Sequence, residues 1–185
     1  MANLTVFNFV SLDGYYKDAN NSTDWHQHGG KEEGEFSDEG AQSGSILIFG
    51  RKTYKMMAGF WPTPMAQEMF PKVADGMNKS QKIVFSTTMK KADWANSKII
   101  SSNLVKAVKK LKDGEKDMTI LGSGSIVTQL AEAGLIDTYI FMVDPIAIGK
   151  GTSIFKGMKR QLNLKLTSSR PFKSGVVLNQ YEPQK

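Results

Sequence analysis

The sequence of 185 residues predicts an α/β protein with a mostly parallel central sheet, helices on both faces and an antiparallel hairpin near the C-terminus. Three observations lead to this fold class. Short apolar runs recur without alternation, as in strands that are covered on both faces. The segments between these runs have helical spacing and short joints, which predicts parallel βαβ units with right-handed crossovers. Only the tail alternates apolar with polar residues, as an antiparallel hairpin does.

Six runs rich in β-branched and aromatic residues are predicted as strands of the parallel part of the sheet. They cover residues 4–10, 45–49, 82–85, 98–100, 118–121 and 138–143. The tail predicts two further strands, residues 162–169 and 176–181, joined by a turn at residues 170–175. Leu162, Leu164 and Leu166 share one face of the first of these strands, so the hairpin is expected to close one edge of the sheet.

Two helices can be recognised from their apolar spacing and their end signals. After the capping candidates Ser102 and Asn103, apolar residues recur on one face until Gly114, which predicts an amphipathic helix. A second helix follows Gly124 and ends at Gly134, where a left-handed C-terminal cap favours glycine.

The stretch of residues 31–44 is expected to be a poor helix. It contains Gly34, Gly40 and Gly44, and its one large apolar residue is Phe36. Each interior glycine costs about 1 kcal/mol of helix stability relative to alanine. No repeat and no linker divides the chain, so a single domain spanning residues 1–185 is expected.

The composition excludes several kinds of site. The chain has no cysteine, which excludes disulfides, thiolate metal sites and cysteine nucleophiles. Its two histidines, His26 and His28, lie in a glycine-rich polar stretch. A two-histidine metal site is the alternative to solvated loop side chains, and no metal is expected. No secretory signal and no membrane-spanning run are recognised, so a cytoplasmic protein without a membrane partner is expected.

The charge is compatible with an anionic ligand, since the net charge is +6 and the pI is about 9.4. Lys106, Lys109, Lys110 and Lys112 lie along one short helix, and such a run is more often a solvated face than a binding stripe. No nucleic-acid partner is expected. A small-molecule ligand is the better interpretation.

The first of three candidate ligand-binding joints follows the strand of residues 45–49. Ligands in open α/β sheets bind at such strand ends. Gly50 lets the backbone approach a ligand closely, Thr53 can cap the new helix, and Arg51 and Lys52 bring cationic donors. A helix start with cations suits a phosphate. An ordinary strand-to-helix turn with surface cations is the alternative.

The second joint is Ser86, Thr87 and Thr88, after the strand of residues 82–85. These hydroxyls can donate to a phosphate, or they can cap a turn.

The third joint runs from strand to helix through two closely spaced glycines. Its residues are Gly122, Ser123, Gly124, Ser125 and Ile126. Glycines there leave backbone N–H groups pointing at a pyrophosphate. A Rossmann fingerprint is the alternative, but it needs a small residue where Val127 stands, and it normally follows the first strand of its domain. Asp144, at the end of the next strand, would be its ribose-binding acid.

The order of these motifs resembles the dihydrofolate-reductase superfamily. SLDG follows the first strand, GRKTY the second and FSTT the third, and LGSGSI precedes a helix that ends in AGLID. Within the superfamily the chain is similar to the branch of the reductase domain of bacterial riboflavin biosynthesis. The resemblance extends from about Leu4 to Phe155, and it implies a three-layer dihydrofolate-reductase-like fold.

The resemblance implies that NADPH lies across the carboxyl ends of the strands. Arg51, Lys52 and Thr53, after Gly50, would meet the 2′-phosphate and the pyrophosphate. Ser86, Thr87 and Thr88 would line the 2′-phosphate pocket. The backbone of Phe9 and Val10 would hold the nicotinamide carboxamide. The pyrophosphate would lie on the third joint: Gly122, Ser123, Gly124, Ser125 and Ile126.

The resemblance also implies a lid, residues 13–25, over the nicotinamide; an unremarkable surface loop is the alternative. Reduction needs a proton as well as a hydride. The superfamily carries its carboxylate on the helix after the lid, near residues 34–38, which makes Asp38 one candidate. Asp13, in SLDG, is the other, because that motif lies beside the substrate in the riboflavin-type branch; Asp before Gly is also a common turn former.

These features together predict an NADPH-dependent reductase of a small heterocyclic or carbonyl substrate. A dihydrofolate reductase is the alternative enzyme, and a non-catalytic nucleotide-binding protein is the alternative from another class. The superfamily often forms dimers, so a homodimer is compatible with the resemblance.

Overall fold

Strands and helices alternate along the chain in the computed structural model, which describes residues 1–26 and 30–184. The strands are β1 (Leu4–Ser11), β2 (Tyr15–Asp18), β3 (Ile46–Gly50), β4 (Lys82–Phe85), β5 (Ser97–Ile100), β6 (Met118–Leu121), β7 (Thr138–Asp144), β8 (Gly151–Ser153), β9 (Leu164–Pro171) and β10 (Val177–Pro183). The helices are α1 (Lys31–Gln42), α2 (Arg51–Phe60), α3 (Pro64–Met69), α4 (Pro71–Lys79), α5 (Leu104–Lys112) and α6 (Gly124–Glu132). Among the described residues, no helix combines the length and apolar character needed to cross a membrane.

The central sheet has the predicted architecture. Eight strands form it in the order β5-β4-β3-β6-β1-β7-β10-β9. All neighbours from β5 to β7 pair in parallel, and β10 pairs antiparallel with both β7 and β9. The C-terminal hairpin therefore closes one edge, as expected. A separate antiparallel pair, β2 with β8, has no counterpart in the sequence prediction because each of its strands is very short.

Both faces of the sheet are covered, because successive side chains of a strand point to opposite faces. In β3, Ile46 and Ile48 belong to a core cluster that includes residues of α5 and α6. Leu47 and Phe49 belong to a second cluster on the other face, with residues of α2 and α4. The result is the three-layer arrangement that the sequence predicts.

Helix α1 corrects the expectation of a poor helix at residues 31–44. Its glycines remain unfavourable, but tertiary packing overrides local propensity. Phe36 packs against Phe7 of β1, with 5.7 Å between ring centroids. On its other side α1 lies so close to α4 that a Cβ on Gly76 would be 2.3 Å from the carbonyl oxygen of Ala41. These contacts connect residues distant in sequence, so the local pattern could not indicate them.

Candidate functional site

The joints singled out in the sequence lie together at one edge of the sheet. The carboxyl ends of β4, β3, β6, β1 and β7 are neighbours there. Residues 86–88 follow β4, residues 51–53 begin α2 after β3, residues 122–126 follow β6, and Phe9 and Val10 belong to the last part of β1. A ligand lying across this edge could meet all of them at once, as ligands do in open α/β sheets.

The first and third joints are hydrogen-bonded to each other. The N–H of Gly50 donates to the Ser123 hydroxyl at 2.9 Å, and that hydroxyl donates to the Leu121 carbonyl at 3.2 Å. Gly122 has a φ of +60°, and a Cβ there would lie 3.0 Å from the Thr53 methyl carbon. Two segments that are far apart in the sequence therefore form one continuous surface.

Strand β2 lies over the start of α6. A Cβ on Gly124 would lie 3.2 Å from the Tyr16 hydroxyl and 3.3 Å from the Ile154 carbonyl oxygen. Burial raises the pKa of Tyr16, and a hydrogen bond with the Gly124 backbone offsets part of that rise. The segment expected to be a lid thus contains strand β2, and the phenol of Tyr16 in that strand contacts the glycine joint.

Four cations surround the two linked joints: Lys17, Arg51, Lys52 and Lys156, here called the basic half of the edge. Burial lowers the pKa of Lys17, and the charges of Lys52 and Lys156 lower it further. Lys17 donates to the Asn21 side-chain oxygen at 2.6 Å. Within residues 1–26 and 30–184, none of the four forms an ion pair. Like charges held together without a carboxylate suit an anionic ligand.

The hydroxyls of the second joint differ in their surroundings. The Ser86 hydroxyl accepts from the backbone N–H groups of Thr88 at 3.3 Å and of Met89 at 3.0 Å. It therefore caps a turn, which was the alternative interpretation of this joint. Thr87 and Thr88 are exposed at the end of β4.

The last part of β1 extends beyond β6. Pairing with β6 ends where Phe7 lies opposite Leu121, whereas pairing with β7 continues to Ser11 opposite Asp144. In the described part of the chain, residues 8–11 therefore have a strand partner on the β7 side only. The glycine joint follows β6, which is the neighbour of β1 on the side away from β7.

Asp13 lies at this edge but is fully engaged. Its carboxylate accepts from the Ser11 hydroxyl at 2.6 Å, the Gly149 N–H at 2.7 Å and the Ile148 N–H at 3.2 Å. The Ser11 hydrogen bond is the main cause that lowers the pKa of Asp13, and the two backbone N–H groups lower it further. The carboxylate is thus ionised at neutral pH, and it ties the SLDG turn to the segment that leads to β8.

Asp38, the other candidate acid, points elsewhere. Its carboxylate lies 3.3 Å from the Lys72 ammonium, so it faces α4 rather than the carboxyl ends of the strands. The structure does not bring Asp38 together with Asp13.

Two glutamates of α1 that the sequence analysis did not single out hold the hairpin instead. Glu32 accepts from the Lys173 N–H at 2.8 Å. Glu33 is buried and accepts from the Ser174 hydroxyl. Glu33 lies three positions before Phe36, so the two side chains share one face of α1. This spacing was the sequence signal that could have indicated the burial of Glu33.

His26 corrects the expectation of a solvated loop histidine. It is 4% exposed, its ring stacks on Phe9 at 3.7 Å, and its Nδ1 lies 2.8 Å from both carboxylate oxygens of Asp144. Asp144 was the ribose-binding acid of the Rossmann alternative, and it is instead bound to a histidine.

His28, the other member of the two-histidine hypothesis, lies outside the described residues. The four carboxylates described above are here called the acidic half of the edge: Asp13, Glu32, Glu33 and Asp144.

Comparison with known proteins identifies relatives over nearly the whole chain. A family model described as the RibD C-terminal domain matches residues 2–178. The uncharacterized protein YyaP of Bacillus subtilis (strain 168) is 31% identical over 170 residues, which are 91% of this chain and 88% of YyaP.

Three solved structures share the fold. A candidate riboflavin biosynthesis protein from Shewanella sp. PV-4 superposes with a TM-score of 0.76 at 20% identity, covering 100% of both chains. Dihydrofolate reductase from Enterococcus faecalis, complexed with NADP(H) and RAB-propyl, gives 0.67 at 16% identity, covering 99% of this chain and 97% of its own.

The third is a diaminohydroxyphosphoribosylaminopyrimidine deaminase/5-amino-6-(5-phosphoribosylamino)uracil reductase from Thermotoga maritima. It gives a TM-score of 0.68 at 13% identity, covering 99% of this chain and 57% of its own. At these identities the likeness concerns the fold, and the fold predicted by the resemblance is confirmed.

Proposed function

We propose that this chain, which belongs to the RibD C-terminal domain family, is a single-domain, NADPH-dependent reductase of a small heterocyclic or carbonyl substrate. One observation carries the proposal. The hydrogen bond from the Gly50 N–H to the Ser123 hydroxyl joins two glycine-bearing helix starts into one surface, directly beside Arg51 and Lys52. Helix starts with cations are suited to phosphates, and a dinucleotide carries several of them.

The residues at the edge fit NADPH in charge and in order. The cations of the basic half form no ion pair in the described part of the chain, so a phosphate would replace like-charge repulsion with attraction. We assign the pyrophosphate to residues 122–126 with Lys52 and Thr53. The 2′-phosphate is assigned to Arg51 and the exposed hydroxyls of Thr87 and Thr88. The E. faecalis dihydrofolate reductase that shares this fold was solved with NADP(H).

Nicotinamide is assigned to the end of β1. The ladder with β6 has ended there, and the ladder with β7 continues to Ser11, so the backbone of Phe9 and Val10 runs past the end of β6, beside the glycine joint. This position supports the assignment of the carboxamide to that backbone. When bound, NADPH supplies the hydride. The role of the chain is to orient the ring at this edge and to exclude water from it, and β2 already covers the neighbouring joint.

The proton has no evident carboxylic-acid donor among the expected residues. Asp13 lies at the edge, but its lowered pKa makes it a better anchor for the SLDG turn than a proton donor. Asp38 is paired with Lys72 on the α4 side. This arrangement favours the second candidate function, a nucleotide-binding protein without catalysis. We rank the reductase first because the T. maritima protein of the same fold is described as a reductase.

The substrate that fits best is smaller than dihydrofolate. Helix α1 packs on the sheet through Phe36, which contacts Phe7, and His26, which precedes α1 in the chain, stacks on Phe9. These aromatic side chains cover Phe7 and Phe9 on that face of β1. A long apolar pteridine slot at that place would require them to open, whereas a ribosylated pyrimidine is smaller and more polar.

A binding experiment tests the cofactor. NADPH and NADH are titrated into the protein by fluorescence, and NADPH should bind roughly tenfold to a hundredfold more tightly, the scale of one charge-assisted phosphate contact. Lys52→Gln should weaken NADPH binding. Lys165→Gln, which removes the same charge from exposed β9, is the matched control. Equal affinities for the two cofactors would contradict the proposal.

A kinetic experiment tests the reaction. NADPH oxidation is followed with dihydrofolate and with a ribosylaminopyrimidine phosphate as alternative substrates. Turnover of the pyrimidine supports the proposal. A kcat/KM with dihydrofolate of about 10⁴ M⁻¹s⁻¹ or more would establish the dihydrofolate-reductase alternative. Tight NADPH binding with no oxidation of either would favour the non-catalytic one.

A further inference from the structure

Asn8 is a buried polar side chain that neither the sequence analysis nor the site above has used. It lies within β1 with 5% of its surface exposed. Its side-chain nitrogen Nδ2 is fully buried and has no hydrogen-bond partner in the described part of the chain. Buried amides are nearly always paired, and an unpaired one destabilises the folded state. An acceptor from outside the protein would explain why an asparagine stands here.

Asn78 shows how the same side chain is normally accommodated in this protein. It lies in α4, where its Nδ2 donates to the Trp61 carbonyl at 2.9 Å and its Oδ1 accepts from the Trp94 indole N–H at 2.7 Å. Both of its ends are satisfied by the protein itself. The two asparagines therefore differ in partners rather than in chemistry.

The strand geometry tells which face of the sheet Asn8 occupies. Val6 and Val10, two positions before and after it, belong to the same core cluster as Ile126 and Val127 of α6. Side chains two apart in a strand share a face. Asn8 therefore points to the α6 side of the sheet.

The pairing register tells how far along the sheet Asn8 lies. Phe7 is opposite Leu121, which is the last residue of β6. Asn8 is one position further, level with Gly122, where the chain leaves the sheet to enter α6. The unpaired amide thus lies at the glycine joint, on the same side as the helix start that is assigned to the pyrophosphate.

We propose that Asn8 contacts the bound dinucleotide: its amide, which is buried in the cofactor-free protein, rotates toward the joint when the cofactor binds, and Nδ2 then donates a hydrogen bond to an acceptor oxygen of NADPH. The inference rests on the proposed function for the identity of the ligand. Ribose, phosphate and carboxamide oxygens of the dinucleotide are all acceptors, so the cofactor can satisfy the amide that the protein leaves unpaired. Asn8 then reduces the stability of the cofactor-free protein and strengthens cofactor binding.

Two substitutions separate these effects, because their signs are opposite. Asn8→Leu keeps the approximate shape and removes the amide, and Asn8→Val does the same with a smaller side chain that cannot overfill the site. In the cofactor-free protein each should raise the Tm by about 2–4 °C. Each should also weaken NADPH binding about tenfold, the scale of one hydrogen bond that is lost on binding.

Asn78→Leu is the matched control, measured in the same way. It should lower the Tm, because it leaves the Trp61 carbonyl and the Trp94 N–H without partners, and it should leave the NADPH Kd of the folded protein unchanged. Asn8 is instead a structural residue paired to a buried water if both Asn8 variants lose stability and keep the wild-type Kd. Unchanged Kd alone also overturns the inference. Absence of NADPH binding by the wild-type protein would overturn the proposed function itself, which the same titration shows separately.

Discussion

The two halves of the carboxyl edge treat their charged groups in opposite ways. In the acidic half every carboxylate accepts hydrogen bonds from the protein: Asp13 from the turn and loop, Glu32 and Glu33 from the hairpin, and Asp144 from His26. In the basic half the four cations form no ion pair among the described residues. Both halves belong to the same sheet and the same set of strand ends.

The difference separates groups that hold the fold from groups that are available to a ligand. A buried or half-buried polar group without a partner is destabilising, and a cluster of like charges is destabilising as well. The lowered pKa of Lys17, caused by burial and then by Lys52 and Lys156, is a sign of this repulsion. In the acidic half each carboxylate already accepts a hydrogen bond from the protein, and among these described residues an added anion would find no unpaired cation to neutralise. A ligand is therefore expected on the basic half, and structural damage is expected from changes around the acidic half.

The largest effect is expected where α1, which carries two residues of the acidic half, meets α4. Gly76→Ala would place a Cβ 2.3 Å from the backbone carbonyl oxygen of Ala41, so the two helices must separate. Overpacking of this kind costs about 1–3 kcal/mol or more in the free energy of unfolding, measured by urea denaturation.

Gly40→Ala is the matched control in the same helix pair, because nothing lies within 4 Å of its added Cβ. It should increase the free energy of unfolding by about 0.5–1 kcal/mol, since alanine is the better helix former. Equal urea midpoints for the two variants would mean that α1 is not held by close contact with α4.

A smaller effect is expected from removing one cation of the basic half. Lys17→Gln should weaken NADPH binding by about tenfold at low salt, because one charge-assisted contact is lost. Its stability should change little or improve, because repulsion with Lys52 and Lys156 disappears. Titrations with Lys165→Gln as the charge control measure this. An unchanged Kd for Lys17→Gln would mean that Lys17 of β2 does not take part in NADPH binding.

The link between the two glycine-bearing joints predicts a still smaller change in stability. Ser123→Ala leaves the Gly50 N–H without its acceptor, and the free energy of unfolding should fall by about 1 kcal/mol. Ser125→Ala, at an exposed position two residues later, should change it by less than about 0.5 kcal/mol. NADPH binding should also weaken in Ser123→Ala. Ser125→Ala is a control for stability alone, because Ser125 belongs to the joint that is assigned to the pyrophosphate. If the two variants unfold alike, the joints are not coupled by this hydroxyl.

The smallest effect concerns Asp13 and depends on pH. Its folded-state pKa is lowered from 3.8, so the folded protein binds this proton less readily than the unfolded chain. The stabilisation is therefore fully present above the unfolded pKa, and it is lost as the pH falls below about 4. Thermal unfolding of the wild type and of Asp13→Asn should differ at pH 7, and the difference should shrink as the pH falls below 3.8 toward the lowered folded-state pKa. A difference that persists unchanged at pH 3 would show that the charge of Asp13 is irrelevant.

Most secondary structure of the sheet could be predicted from the sequence. The strands at residues 82–85 and 118–121 agree with β4 and β6 at both ends, and the others deviate by a few residues at most. Asn103 caps α5 through its side chain, which accepts from the Lys106 N–H at 3.0 Å, and Gly134 has the expected left-handed conformation with a φ of +64°. These signals are local: an apolar run, a capping side chain and a glycine each act on the residues beside them.

Buried polar residues could not be predicted in the same way. Lys82 begins the apolar run KIVF, yet its ammonium is buried and donates to the carbonyls of Asn78, Ser80 and Ala95. Burial lowers the pKa of Lys82 to about 8. His26 looked like a solvated histidine for the same reason, because a polar stretch gives no sign of what will cover it. The type of a residue predicts only how exposed such residues are on average, and Lys82 and His26 are much more buried than that average.

The sequence by itself determined the α/β class, the strand order along the chain, and which segments form the glycine and hydroxyl joints. It also determined the resemblance to a reductase family, because the motifs that carry it are short and contiguous. Only the tertiary structure decided which polar and charged groups have hydrogen-bond partners. The pairs of Gly50 with Ser123, His26 with Asp144 and Glu33 with Ser174 join residues 73, 118 and 141 positions apart. Such partners meet because of the order of strands in the sheet, and no local pattern of residues encodes that order.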